Sequence, residues 1–238
     1  MKKSGFQFKQ FSVYQDRCAM KVGTDGVLLG AWVNVDNAKN TLDIGTGTGL
    51  IALMMAQRSV STLITAIEID SEAACQATEN VLNSPWKDRI EVINIDLLDF
   101  NCSKRYDVIV SNPPYFSQSL PSPNKQRTLA RHNDHLTYSA LIQKVATLLS
   151  ENGRFSVIIS YDHKDEFIQL ASQSRLYLQR IVAVKTTPTS VFRRVLLEFS
   201  FVESIVEQLK VEELLIERER HQYSTEYINL TKDFYLKM

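Results

Sequence analysis

The chain has 238 residues, of which 44% are hydrophobic and 23% charged, the length and composition of one globular domain with short extensions. Lys and Arg number 27 against 27 Asp and Glu, so net charge by itself points away from a polyanion partner, and no apolar run is long enough to span a membrane. The N-terminus lacks the apolar segment of a signal peptide, and Cys18, Cys75 and Cys102 fit reduced thiols of a cytoplasmic protein better than a disulfide framework; neither they nor the four histidines show metal-ligand spacing, so no metal is expected.

In chain order, TDGVLLGAW (24–32) predicts a leading helix. From residue 41 short apolar strands alternate with helical stretches. TLDIG (41–45) predicts a strand and LIALMMAQR (50–58) a helix; LITAIEI (63–69) predicts a strand and SEAACQATENVLN (71–83) a helix opened by Ser71 and Glu72. RIEVINID (89–96) and the β-branched YDVIVSN (106–112) are strands. YSALIQKVATLLS (138–150) has apolar residues at helical spacing and stops near Gly153. RFSVIIS (154–160) is a strand, KDEFIQLASQS (164–174) a helix, and YLQRIVAVK (177–185) and RVLLEFSF (194–201) are the last strands. The pattern predicts an α/β fold with a seven-stranded, mostly parallel sheet and helices on both faces. TTPTSVFR (186–193) has no room for a crossover helix, so the last two strands are expected to pair antiparallel at one edge. The expected organisation is a basic segment over 1–23, one domain over 24–201 and an extension over 202–238.

LDIGTGTGL (42–50) passes from strand to helix through Gly45, Thr46, Gly47 and Gly49, a loop in which a ligand can lie directly on the main chain. Alone it is equally a tight turn. Three acids change the reading. Asp43 precedes the loop; Glu68, with Asp70 as second choice, ends the next strand about where a carboxylate grips a ribose diol; Asp96 ends the third strand, placed to meet an adenine ring. Acids in register at the C-terminal edge of one sheet make a ligand crevice. The fourth strand then ends in VSNPPYF (110–116), two prolines that no central strand can continue through.

D-x-G-x-G-x-G, the acids after strands two and three, and N-P-P-Y after strand four, in this order, resemble the class I S-adenosylmethionine-dependent methyltransferases, with their Rossmann-like fold. The resemblance covers about residues 24–201. The flanking stretches GFQFKQFSVYQDRCAMKVGTDGVLLGAW and YSTEYINLTKDFYL are similar to one bacterial branch of that family, which methylates N6 of adenine 37, next to the anticodon, in a valine tRNA. It implies S-adenosylmethionine as cofactor and tRNA as partner. Thr24 and Asp25 are then candidates to cover the cofactor's methionine end, with an ordinary helix cap as the rival reading.

The resemblance also explains the asparagine and prolines. An exocyclic adenine amine is a poor nucleophile, because its lone pair is delocalised into the ring. The Asn112 side-chain oxygen and the Pro113 carbonyl would accept its two N–H bonds, Pro113 and Pro114 would hold that carbonyl still, and Tyr115 would stack on a flipped base. The rival reading is a strand-ending turn.

For RNA contact the candidates are Lys9, Arg17 and Lys21, with Lys2 and Lys3, in the basic N-terminal segment, and Arg127 and Arg131, with Lys125, beyond the NPPY loop. Ordinary solvated surface is the rival here too. A second function stays open, N5-methylation of a glutamine side chain in a protein, since an amide nitrogen needs the same clamp. The short basic segment before Thr24, in place of a helical substrate-gripping domain, favours RNA. Oligomeric state is not legible.

Overall fold

A computed structural model describes residues 5–114, 136–205 and 208–238. Gly5–Gln7 (β1) and Ser12–Tyr14 (β2) pair as a small antiparallel hairpin. Asn40–Ile44 (β3), Leu63–Glu68 (β4), Ile90–Asn94 (β5), Tyr106–Ser111 (β6), Leu149–Ser160 (β7), Tyr177–Lys185 (β8), Arg194–Ser200 (β9) and Glu212–Leu215 (β10) join one sheet, in the order β10-β8-β9-β7-β6-β3-β4-β5. Period-two side-chain alternation explains why both faces are covered. In β6, Val108 and Val110 enter one core and Ile109 the other; in β9, Leu196 faces opposite to Val195 and Leu197. Helices α1 (Thr24–Trp32) and α2 (Leu50–Arg58), and Val81 of α3 (Ser71–Leu82), pack into the Val108 core. Helices α4 (Tyr138–Leu148) and α5 (Lys164–Gln173) pack into the Ile109 core.

The predicted α/β architecture holds, with two differences in the sheet. β8 and β9 do pair antiparallel, but β9 lies inside the sheet, between β7 and β8. Its residues Val195–Ser200 are all buried, and so apolar a strand needs neighbours on both sides. The edge strand is β10, parallel to β8, an eighth strand not expected from the sequence. It is four residues long, and the exposed Glu212 and Glu213 suit an unpaired edge. A smaller difference concerns Gly153: α4 ends at Leu148, and β7 begins at once, so Gly153 lies within a strand whose pairing with β6 shifts register between Tyr106 and Val108.

The two ends of the chain meet. After β10 come the hairpin strands Glu217–Glu219 (β11) and Gln222–Tyr223 (β12) and helix α6 (Thr225–Thr231). Phe8 forms a bridge with Tyr235, and the Lys9 backbone N–H donates to the Phe234 carbonyl at 2.8 Å. Among the described residues no helix is long and apolar enough to cross a membrane.

Candidate active site

β3 turns into α2 through three glycines with left-handed φ, +68° at Gly45, +56° at Gly47 and +82° at Gly49. A Cβ on Gly45 or Gly47 would meet no atom within 4 Å, so conformation rather than crowding demands glycine there. At Gly49 a Cβ would come to 3.5 Å from Ala77 of α3, an ordinary contact, so there too the left-handed φ is what demands glycine.

Beneath the loop lies Asp43, fully buried. Its Oδ2 accepts from the Thr46 hydroxyl at 2.6 Å and from the Ala52 backbone N–H at 3.2 Å, which ties the loop to the first turn of α2. Its Oδ1 has no partner among the described residues. Burial pushes its pKa up to about 7, the two hydrogen bonds pull it down, and the charge of Glu68 adds to the rise.

Glu68, at the end of β4, faces the same loop from the side. Its Oε2 accepts from the Gly47 N–H at 2.8 Å and its Oε1 from the Asp70 N–H at 3.0 Å. The Asn94 amide in β5 donates to the Glu68 and Ile69 carbonyls at 2.8 and 3.0 Å and steadies that strand end. Asp96 follows β5, and its Oδ1 accepts from the Leu98 N–H at 2.8 Å. In β6 the Ser111 hydroxyl donates to the Ile44 carbonyl at 3.1 Å, which brings the Asn-Pro-Pro strand end beside the start of the glycine loop.

These strand ends enclose one cavity of about 270 Å³. Gly45, Gly47, Glu68 and Asp96 line it, together with Asn112, Pro113 and Pro114. Its apolar walls include Ile67, Ile69, Ile95, Leu97 and Leu98, with Met20 and Leu136. A flat heterocycle fits between aliphatic walls, a carboxylate suits a diol, and the loop offers bare main chain.

The other candidates fall elsewhere. Asp43 and Thr46 are turned into the loop's own support and do not line the cavity; desolvation there leaves the carboxylate to the hydrogen bonds of the turn. Gly49 caps α2. Asp70 caps α3, its Oδ1 accepting from the Ala73 N–H at 2.8 Å. Thr24 begins α1 and lines a second cavity, and its neighbour Asp25 pairs with Arg194 at 2.9 Å. Lys9 is committed to the C-terminal segment, its Nζ donating to the carbonyls of Lys232 at 2.5 Å and Met238 at 3.1 Å. The Arg17 guanidinium donates to the Cys75 sulfur at 3.0 Å. Lys21 is exposed, one residue after Met20 in the cavity wall. Tyr115, Arg127 and Arg131 lie outside the described residues.

Sequence reasoning missed one residue that organises the site. Asn80 of α3 is fully buried; its Oδ1 accepts from the Tyr14 N–H at 2.9 Å, and its amide donates to the carbonyls of Tyr14 and Thr48, both at 2.8 Å. It clamps β2, α3 and the glycine loop together. The one available signal was an asparagine on the buried side of an amphipathic helix.

The comparisons agree with this geometry. Residues 18–174 match the Methyltransferase small domain family. A protein of Bacteroides fragilis named tRNA1(Val) (adenine(37)-N6)-methyltransferase is 53% identical over 236 residues, covering 98% of either chain. Proteins of the same name in Bacteroides thetaiotaomicron and Pseudoalteromonas translucida are 54% and 47% identical, over 98% and 99% of this chain and 98% and 100% of theirs. Among solved structures, a predicted O-methyltransferase of Agrobacterium tumefaciens superposes with a TM-score of 0.67 at 17% identity, over 88% of this chain and 96% of that one. A ribosomal protein L11 methylase of Lactobacillus delbrueckii superposes at 0.52 and 18% identity, over 74% of this chain and 76% of its own. Those two share the fold. A glycine loop braced by the acid of the neighbouring strand thus goes with a sequence match that runs through β3 to α5, and the chain belongs to the Methyltransferase small domain family.

Proposed function

We propose that the protein transfers a methyl group from S-adenosylmethionine to the exocyclic N6 of an adenine in tRNA, adenine 37 of a valine tRNA. The observation that carries this reading is that one cavity is lined both by Gly47, Glu68 and Asp96 and by Asn112 and Pro113. The names and near-full-length identity of the relatives supply the substrate.

The residues present fit the cofactor. Glu68 would hold the ribose diol, Asp96 and the walls from Ile67 to Leu98 the adenine, and the main chain at Gly45 and Gly47 the methionine end. When bound, S-adenosylmethionine supplies an electrophilic methyl group on a sulfonium. The protein's own part is to shape the nucleophile. Asn112 and the Pro113 carbonyl accept the two N–H bonds of N6, which draws the nitrogen toward tetrahedral geometry and frees its lone pair. Pro114 denies the loop a backbone donor and fixes its φ, so the clamp is ready before substrate arrives. The amine grows acidic as it attacks and loses its proton late, so no strong base is needed. A tRNA substrate supports a cytoplasmic location for the enzyme.

The test incubates the protein with labelled S-adenosylmethionine and three acceptors: an unmodified valine tRNA transcript, the same transcript with guanine in place of adenine 37, and a protein extract. Nucleoside analysis should find N6-methyladenosine in the first alone. Label on protein glutamine instead would overturn the reading.

A further inference from the structure

A second, larger cavity of about 910 Å³ opens on the same edge of the sheet as the first. β9 pairs antiparallel with both β7 and β8, so the end of β8 and the start of β9 emerge where β6 releases Asn112. Arg193 and Arg194 come from the start of β9, Tyr223, Tyr235 and Lys237 from the C-terminal segment, and Phe6 from β1. Both cavities border the same stretch of the N-terminal segment. Met20 lines the first, whereas Val22 and Gly23 line the second. Two residues of chain span at most about 7 Å, a separation that neighbouring nucleotides of one strand bridge.

The lining chemistry suits single-stranded RNA. Tyr223 is 43% exposed and Phe6 36%, so both present ring surface to solvent. Two acids also line the cavity. Asp25 is paired with Arg194, and Glu217 shares the lining with two cations, Arg193 and Lys237, whose side chains have no partner among the described residues. Aromatic faces beside unspent guanidinium and ammonium groups stack bases and pair with phosphates. The cavity's origin matters too. Its arginines, its aromatic residues and Lys237 all lie outside residues 18–174, the part that the family shares, whereas the tRNA1(Val) relatives align over 98% of the chain. What the family's shared part leaves out is where substrate choice can reside.

We infer that this second cavity receives a nucleotide adjoining the target adenosine, its base against Tyr223 or Phe6 and its phosphate on Arg193 and Lys237. The inference rests on the RNA-methylating reading above and extends it to how the strand is held.

The experiment compares wild type with Arg193→Ala, Arg193→Lys and Tyr223→Ala on an unmodified valine tRNA transcript. Both alanine variants should raise KM for RNA about 5- to 100-fold, with kcat, S-adenosylmethionine affinity and melting temperature unchanged. Arg193→Lys should fall between. A transcript carrying 4-thiouridine beside the target adenosine should photocrosslink to peptides that line this cavity, within residues 1–23, 184–194 or 202–238. Wild type that methylates RNA, with variants of unaltered KM and crosslinks confined to other peptides, overturns this inference alone. Wild type that methylates no RNA overturns the functional reading and this inference with it.

Discussion

The Glu68 carboxylate accepts a hydrogen bond from the Gly47 backbone N–H across 2.8 Å, so the acid that ends β4 braces the loop that leaves β3. Asp70, two residues on, points the other way and caps α3. Two carboxylates that sequence leaves as alternatives for one task therefore have separate ones.

Substitution separates them. Glu68→Ala should weaken S-adenosylmethionine binding about 10- to 100-fold by calorimetry, the worth of a charge-assisted contact to a diol. Asp70→Ala should leave that affinity unchanged and lower stability by about 1 kcal/mol through the lost helix cap. The opposite pattern would move the diol contact to Asp70.

On the proposed role of its side chain in orienting the nucleophile, Asn112→Ala should lower the single-turnover rate at least about 100-fold and leave cofactor affinity within about twofold. Rapid-quench methyl transfer beside calorimetry reads both. Loss of cofactor binding at an unchanged rate would show that Asn112 serves the cofactor instead.

Asp43 makes stability depend on pH. Its carboxyl has an ordinary pKa of 3.8 and, buried, one of about 7. Between these values the folded chain holds a proton that the unfolded chain has released, so the group's contribution is complete below pH 4 and lost as pH rises through 7. Asp43→Asn keeps the shape without the titration. Wild type should therefore lose stability relative to this variant by up to roughly 1 kcal/mol per pH unit across that window. Urea unfolding of both proteins at several pH values measures it, and parallel curves would show that the buried carboxyl does not titrate there.

Asn80→Ala removes three hydrogen bonds that join β2, α3 and the glycine loop. At about 1 kcal/mol each it should cost roughly 2–4 kcal/mol of stability. Because one of the three ends on Thr48, inside the loop, cofactor affinity should fall as well. A stable variant with unaltered affinity would mean that β2 and the loop hold their places without Asn80.

Helices and strands were legible because each depends on near neighbours: TDGVLLGAW forms α1 end to end, and the β-branched run before Asn112 forms β6. The glycine loop was legible for the same reason, since its φ requirements are met residue by residue. The pairing of strands over long separations was not. A short loop makes β8 and β9 antiparallel, but which of them lies beside β7 is decided by burial across the whole sheet. The charged β10 becomes a strand only because the edge of β8 is available.

The division of labour among the acids was only partly legible. Spacing alone put Asp43, Glu68, Asp70 and Asp96 together at one edge of the sheet and ranked Glu68 ahead of Asp70, but did not show which of them turn away from the cavity. Burial turns Asp43 into the loop's support, a free helix terminus takes Asp70, and only Glu68 and Asp96 are left facing the cavity. Sequence alone determined the kinds of elements, the glycine turn and the Asn-Pro-Pro strand end, because those are set by local backbone chemistry. The tertiary structure decided that Phe8 meets Tyr235, that Lys9 reaches the last residues, and that the two chain ends build a cavity beside the first. Such contacts close loops of more than two hundred residues, and burial of apolar surface from both ends offsets the entropy of that closure, a balance that no local pattern carries.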